Sequence, residues 1–116
     1  MSDYTPDNWV IIKIKEGKLD SGFYKVLAGW SGGYLDGDSW RMNSGITGHE
    51  YDGDYWYFKG LSGSVYKCYV DSYFLRMNNA GIWEALKKRH GDKVSIVPDQ
   101  AWIKKDWDWK INDDTS

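Results

Sequence analysis

The stretch Trp9-Val10-Ile11-Ile12-Lys13-Ile14-Lys15 decides the fold class. Val10, Ile12 and Ile14 recur at period two, the repeat of a β-strand, and so share one face. The expectation is a strand half-buried through that face. A polar segment follows, Glu16-Gly17-Lys18-Leu19-Asp20-Ser21-Gly22, and residues 23–30 (FYKVLAGW) read as a second strand. Two strands joined by such a loop pair as an antiparallel hairpin.

Beyond this hairpin the chain is punctuated by glycine. Asp36-Gly37, Asn43-Ser44-Gly45, Asp52-Gly53 and Gly60-Leu61-Ser62-Gly63 are turn signals. Asp-Gly supplies the positive φ that a type I′ hairpin turn demands, so Gly37 and Gly53 are both expected there. Between the turns lie short segments, 39–42, 46–51, 54–59 and 64–70. Trp56 and Phe58 oppose Tyr57 and Lys59, and Tyr66, Cys68 and Val70 alternate with Val65, Lys67 and Tyr69. This is the pattern of an antiparallel meander. Asp36-Gly37-Asp38-Ser39-Trp40 recurs in outline as Asp52-Gly53-Asp54-Tyr55-Trp56, a period suited to two similar hairpin turns and too short for a solenoid.

One helix is expected near 79–90, with Asn78-Asn79 as caps, Gly91 as the stop, and Ile82, Ala85, Leu86 and Arg89 along one stripe. Lys87, Lys88, Arg89 and His90 suit the negative end of its dipole. Residues 93–97 read as a further strand ended by Pro98. Trp107-Asp108-Trp109-Lys110-Ile111 alternates strictly and reads as a last edge strand, with 112–116 frayed. The fold class is therefore α+β: residues 1–116 form one domain, a curved, barrel-like antiparallel meander of five to seven short strands with one helix. An all-β sandwich with the helix as a minor lid is the alternative. Val10, Ile12, Ile14, Trp56, Phe58, Val70, Leu86 and Ile96 are its expected core.

Composition narrows the function. The chain has 116 residues, 15 Lys+Arg against 17 Asp+Glu, and a net charge of −2. That balance creates no strong field toward nucleic acid phosphates, and the two basic clusters, Lys87-Lys88-Arg89 and Lys104-Lys105, lie next to acids. Nucleic acid is disfavoured as a partner. The single cysteine, Cys68, excludes an intrachain disulfide framework and reads as a small buried hydrophobe. No apolar run approaches the about 20 residues of a membrane span, and Met1-Ser2-Asp3-Tyr4 does not open a signal peptide. A cytoplasmic protein without a membrane partner is expected.

The chemical motifs lack their contexts. Gly29-Trp30-Ser31-Gly32-Gly33 fits a nucleophile elbow, but that motif needs a strand-to-helix turn, and Tyr34-Leu35-Asp36-Gly37 leads into another turn. A Gly-rich turn accounts for it. The Asp-Gly-Asp pairs lack the alternating oxygens and terminal Glu of a calcium loop. His49 and His90 are far apart in sequence; the first reads as a surface residue and the second as a helix-end cation. No catalytic residue, metal or cofactor is assigned, and the protein is expected not to be an enzyme.

What stands out is the aromatic load, 8 Trp and 9 Tyr, beside only 23 Leu, Ile, Val and Phe together. Rings must fill part of the core or form a binding surface. Tyr55 and Tyr57 lie on one face of a strand whose other face serves the core. Trp107 and Trp109 share a face of the tail, which either folds back on its own domain or docks a partner. With Trp30 and Tyr34, these are the candidate partner-binding residues.

The segments 24–34 (YKVLAGWSGGY), 39–46 (SWRMNSGI) and 63–68 (GSVYKC) together resemble small accessory proteins of tailed bacteriophages. The resemblance covers about half of the chain and rests on turn and packing residues. It implies a viral protein of the host-takeover or anti-defence type, acting by binding in the cytoplasm of the infected cell. The expected function is inhibition of a host or defence protein through an aromatic-rich surface. A second copy of the chain is another partner considered. The alternative function is a small-ligand binder, with Trp and Tyr stacking on a nucleotide signal or a carbohydrate.

Overall fold

The structure is a computed structural model that describes residues 3–15, 22–33, 37–105, 107 and 109. Among them are β1 (Asp3–Tyr4), β2 (Asn8–Lys15), β3 (Gly22–Gly33), β4 (Gly37–Met42), β5 (Ile46–Tyr51), β6 (Tyr55–Gly60), β7 (Val65–Tyr69), α1 (Met77–His90) and β8 (Val94–Ile96). The expected α+β class holds, with seven described strands of three residues or more and one α-helix. One sheet has the order β4-β3-β2-β8 and the other β1-β7-β6-β5. Strand pairs within them are antiparallel except for the two-residue β1, which runs parallel to β7.

The sheets do not close into a barrel. Among the described residues no ladder joins their edge strands; they meet through side chains and stack face to face. The helix packs on the far side of the β4-β3-β2-β8 sheet, giving three layers. This sheet is the middle layer, which corrects the reading of β2 as half-buried. Trp9 and Ile11 are fully buried between the sheets, while Val10, Ile12 and Ile14 are buried under the helix with Leu27 and Val94. A strand covered on both faces has no use for a polar alternate position, and the run Trp9 to Ile12 contains none. Trp56 and Phe58 are buried as expected, whereas Val70, Leu86 and Ile96 are only half-buried. Val70 opens a short 3₁₀ turn after β7, Leu86 sits on the outer layer, and Ile96 lies on the edge strand β8.

Rings dominate the inter-sheet core. Trp9, Tyr24, Trp56, Phe58, Tyr66 and Trp102 are all buried there. The Trp9 indole lies 5.4 Å from Phe58 and 5.8 Å from Trp102, centroid to centroid, and its N–H donates to the Tyr69 carbonyl at 2.8 Å. Tyr73 completes the seam. Its hydroxyl accepts from the Ile11 N–H at 3.0 Å and donates to the Val97 carbonyl. Burial pushes that hydroxyl well above the usual tyrosine range.

The helix is longer than expected by two residues at its start, and its inward stripe is different. Asn79, Ile82, Trp83 and Leu86 face the sheet, at the i, i+3, i+4, i+7 spacing, while Ala85 is exposed. Asn79 is fully buried and works from inside the first turn. Its Oδ1 accepts from the Arg76 N–H at 2.9 Å and from Asn8 Nδ2 at 3.1 Å, and its Nδ2 donates to the Leu27 carbonyl at 3.2 Å. Gly91 ends the helix at φ 58°, its N–H donating to the Lys87 carbonyl.

The turn readings at Gly53 and over residues 29–33 change. Gly53 has the expected positive φ, 102°, but the next residue, Asp54, does not. Positive φ at the first central position alone is the type II′ arrangement rather than type I′. Gly37 lies in β4 opposite Gly33, and its partner Asp36 falls outside the described residues. The segment from Gly29 to Gly33 is not a turn: it continues β3, with a register irregularity between Trp30 and Gly33.

Candidate functional site

Three layers leave one broad sheet face open. The inner face of β5-β6-β7 packs on the middle sheet; on the outer face, register alone assembles a group of side chains. Tyr55 lies opposite Tyr69, Tyr57 opposite Lys67, Lys59 opposite Val65, and Glu50 opposite Tyr57. None of these belongs to either core cluster, and among the described residues no element packs over them. Tyr69 is 40% exposed, and Tyr55, Tyr57 and Lys67 are half-buried by one another.

The group is ordered by its own contacts. The Tyr55 and Tyr69 rings are 5.5 Å apart, and the Lys67 ammonium sits 4.4 Å over the Tyr55 ring and 5.9 Å from that of Tyr57. The Tyr57 hydroxyl donates to Asp52 Oδ2 at 2.7 Å. Asp52 Oδ1 accepts the N–H groups of Asp54 at 2.9 Å and Tyr55 at 2.8 Å, closing the turn. These bonds, the tyrosine hydroxyl first, hold the Asp52 carboxyl below the usual carboxylate range; the same bond raises the Tyr57 hydroxyl. Lys59 pairs with Glu50 at 2.9 Å and lowers its carboxyl in the same way. The Asp-Gly-Asp segment thus uses Asp52 to build a turn and to fix a tyrosine.

Of the six residues singled out from sequence, the structure places Tyr55 and Tyr57 on this face and packs Trp107 against Trp109 elsewhere. Tyr69 and Lys67 complete their face. The alternation of β7 already placed that pair on one side, but only the β6–β7 register shows which ring meets which. Trp30, on the other sheet, is half-buried at the border of the inter-sheet core; its N–H donates to the Thr5 carbonyl at 2.9 Å and its ring meets Tyr4 edge-on. Tyr34 lies outside the described residues.

Trp107 and Trp109 are in no strand, which corrects the edge-strand reading of the tail at these positions. Both rings pack against the chain's own inter-sheet core. They lie 5.1 and 5.5 Å from Tyr24, and Trp109 also meets Phe58 and Trp102. The Trp109 N–H donates to His49 Nδ1 at 2.9 Å. His49 is therefore half-buried rather than a surface residue, and burial lowers its basicity. The indole N–H groups of Trp56, Trp102 and Trp107 are buried without a hydrogen-bond partner.

Elsewhere the chemistry is sparse. Cys68 is fully buried, which pushes its thiol far up and keeps it neutral at ordinary pH. Among the described residues no three His, Cys, Asp or Glu side chains gather to hold a metal ion, and no helix is long and apolar enough to cross a membrane. Comparison with protein-family models, curated proteins and solved structures finds no match for this chain.

Proposed function

We propose that this chain is a small non-enzymatic binding protein that holds a protein partner against the outer face of β5-β6-β7. One observation carries the reading: Tyr55, Tyr57 and Tyr69 share a sheet face that no described element covers. An antiparallel sheet with one wet face ordinarily presents polar side chains there. Tyrosine is enriched at protein interfaces because it offers a large, rigid contact with a hydroxyl at its tip. Here the rings are held in place before any partner arrives, Tyr57 by Asp52 and Tyr55 by Lys67. Such ordering lowers the entropy lost on binding.

The face also favours a protein over a polyanion. It carries Lys59 and Lys67 beside Glu50 and Asp52, so charges of both signs surround the rings. Mixed signs select partners by complementarity instead of attracting phosphate generally. The resemblance to phage accessory proteins makes a host or defence protein the class of partner proposed, and inhibition the consequence of its capture.

The test compares the natural chain with a Tyr55→Ser, Tyr57→Ser, Tyr69→Ser variant in affinity capture from a bacterial host lysate. A protein retained in stoichiometric amount by the natural chain and lost by the folded variant supports the reading. Equal retention by both places the interface elsewhere. A small molecule co-purifying in place of any protein overturns the reading in favour of a ligand binder.

A further inference from the structure

Where the two sheets meet near β3 and β5, the flank of the sandwich is filled by the chain's own late tryptophans. Trp102 is buried deep, against Trp9, Trp56 and Phe58. Trp109 lies against it and Trp107 beside Trp109, both half-buried, 5.5 Å from each other and packed edge to face. Among the described residues, one side-chain hydrogen bond fastens this outer pair: Trp109 Nε1–H to His49 Nδ1. An indole nitrogen only donates, so Nδ1 of His49 must carry a free lone pair for the bond to exist. A protonated imidazole carries hydrogen on both nitrogens and would point a donor at a donor.

We propose that Trp107 and Trp109 form a latch, closed on the sandwich flank by the Trp109–His49 hydrogen bond and released when His49 takes a proton at Nδ1. Release uncovers the sides of Tyr24, Phe58 and Trp102 that Trp109 now touches. The latch is lightly held. The Trp107 N–H is buried without an acceptor and regains a water partner on opening, which offsets part of the unfavourable exposure of the two indoles.

The surroundings of His49 leave protonation to act through this bond. The groups facing it are rings, Trp56 and Phe58 from β6 and Trp109 from the tail. Its neighbour on β5, Glu50, pairs with Lys59 of β6 on the opposite face of the sheet. From the middle sheet, Tyr24 of β3 meets Trp109, with the Lys13 ammonium of β2 5.8 Å from that tyrosine ring. The tail's Asp106, Asp108 and Lys110 lie outside the described residues. No carboxylate among the described groups faces the imidazole to stabilise its cation, and burial lowers its pKa from the ordinary histidine value. The sign follows: the open state binds the proton more readily, so closure is complete above the ordinary histidine range and is lost as pH falls through it.

The experiment is an NMR titration of the full chain from about pH 7.5 to about pH 5, within which histidine titrates. It follows the indole N–H signals and the ring contacts of Trp109 with Tyr24. The latch predicts that the Trp109 signal loses its hydrogen-bonded shift and its Tyr24 contacts together as His49 titrates. The Trp9 signal, bonded to the Tyr69 carbonyl, stays put and reports an intact fold. His49→Gln, which keeps an acceptor at every pH, should hold the contacts throughout. Trp109→Phe, which removes the donor, should raise the His49 pKa. Persistent Trp109–Tyr24 contacts after His49 has titrated, or the same opening in His49→Gln, overturns the proposal.

Discussion

Ile11→Ala tests whether the middle sheet is buried on both faces. Ile11 is fully buried between the sheets, and Ile12, its neighbour, is fully buried under the helix. A one-sided strand would make the first substitution mild and only the second severe. The change removes three buried carbons, about 2.4 kcal/mol of transfer free energy at about 0.8 kcal/mol each. A residual cavity adds to this, because Trp9, Phe58 and Trp102 are large and mutually packed and close poorly around a void. Both Ile11→Ala and Ile12→Ala should therefore cost about 3–5 kcal/mol. Chemical denaturation monitored by circular dichroism measures each loss as a shift in midpoint at unchanged slope. A cost below about 0.5 kcal/mol for Ile11→Ala, the range of surface substitutions, would refute the three-layer arrangement.

Three other perturbations follow from local geometry. Asn79→Ala strands the Arg76 N–H, removes a donor to the Leu27 carbonyl and removes one partner of Asn8, and should cost about 2–4 kcal/mol in the same denaturation assay. Gly53→Val meets nothing within 4 Å, so its cost comes from φ 102° alone; about 1–2 kcal/mol is expected, with Tyr57–Asp52 contacts weakened in NMR spectra. Truncation after Lys105 removes two half-buried indoles but keeps Trp102; the chain should still fold, with about 2–3 kcal/mol less stability by thermal or chemical unfolding.

The elements themselves were legible. Period-two alternation and Asp-Gly or Gly-rich turns locate β5 through β7, and the basic last turn with Gly91 locates the end of α1. Layering was not. Val10, Ile12 and Ile14 suggest one buried face, and only the placement of a second sheet over Trp9 and Ile11 shows the other to be buried too. The same limit applies to the helix, where Trp83 packs against the sheet and Ala85 is exposed, because the helix phase is set by which face meets the sheet. For the candidate site, ring-bearing faces could be named strand by strand, which picked out Tyr55 and Tyr57. The pairing of Tyr55 with Tyr69 and of Lys67 with Tyr57 depends on register, and register depends on turn geometry. Trp107 and Trp109 alternate as a strand would, yet their spacing equally lets two rings straddle Tyr24. The acceptor at His49, 60 residues away in sequence, leaves no local signal.

The most direct test of the binding proposal is a footprint of the captured partner. Backbone amide and side-chain NMR signals of the chain, recorded with and without the purified partner, report which face is covered. The account predicts that perturbations concentrate on Tyr55, Tyr57, Lys67 and Tyr69, with Asp52 and Glu50 at the rim, while α1 and the Trp40 end of β4 stay unchanged. Perturbations centred on α1 or β4, with the tyrosine face untouched, would contradict it.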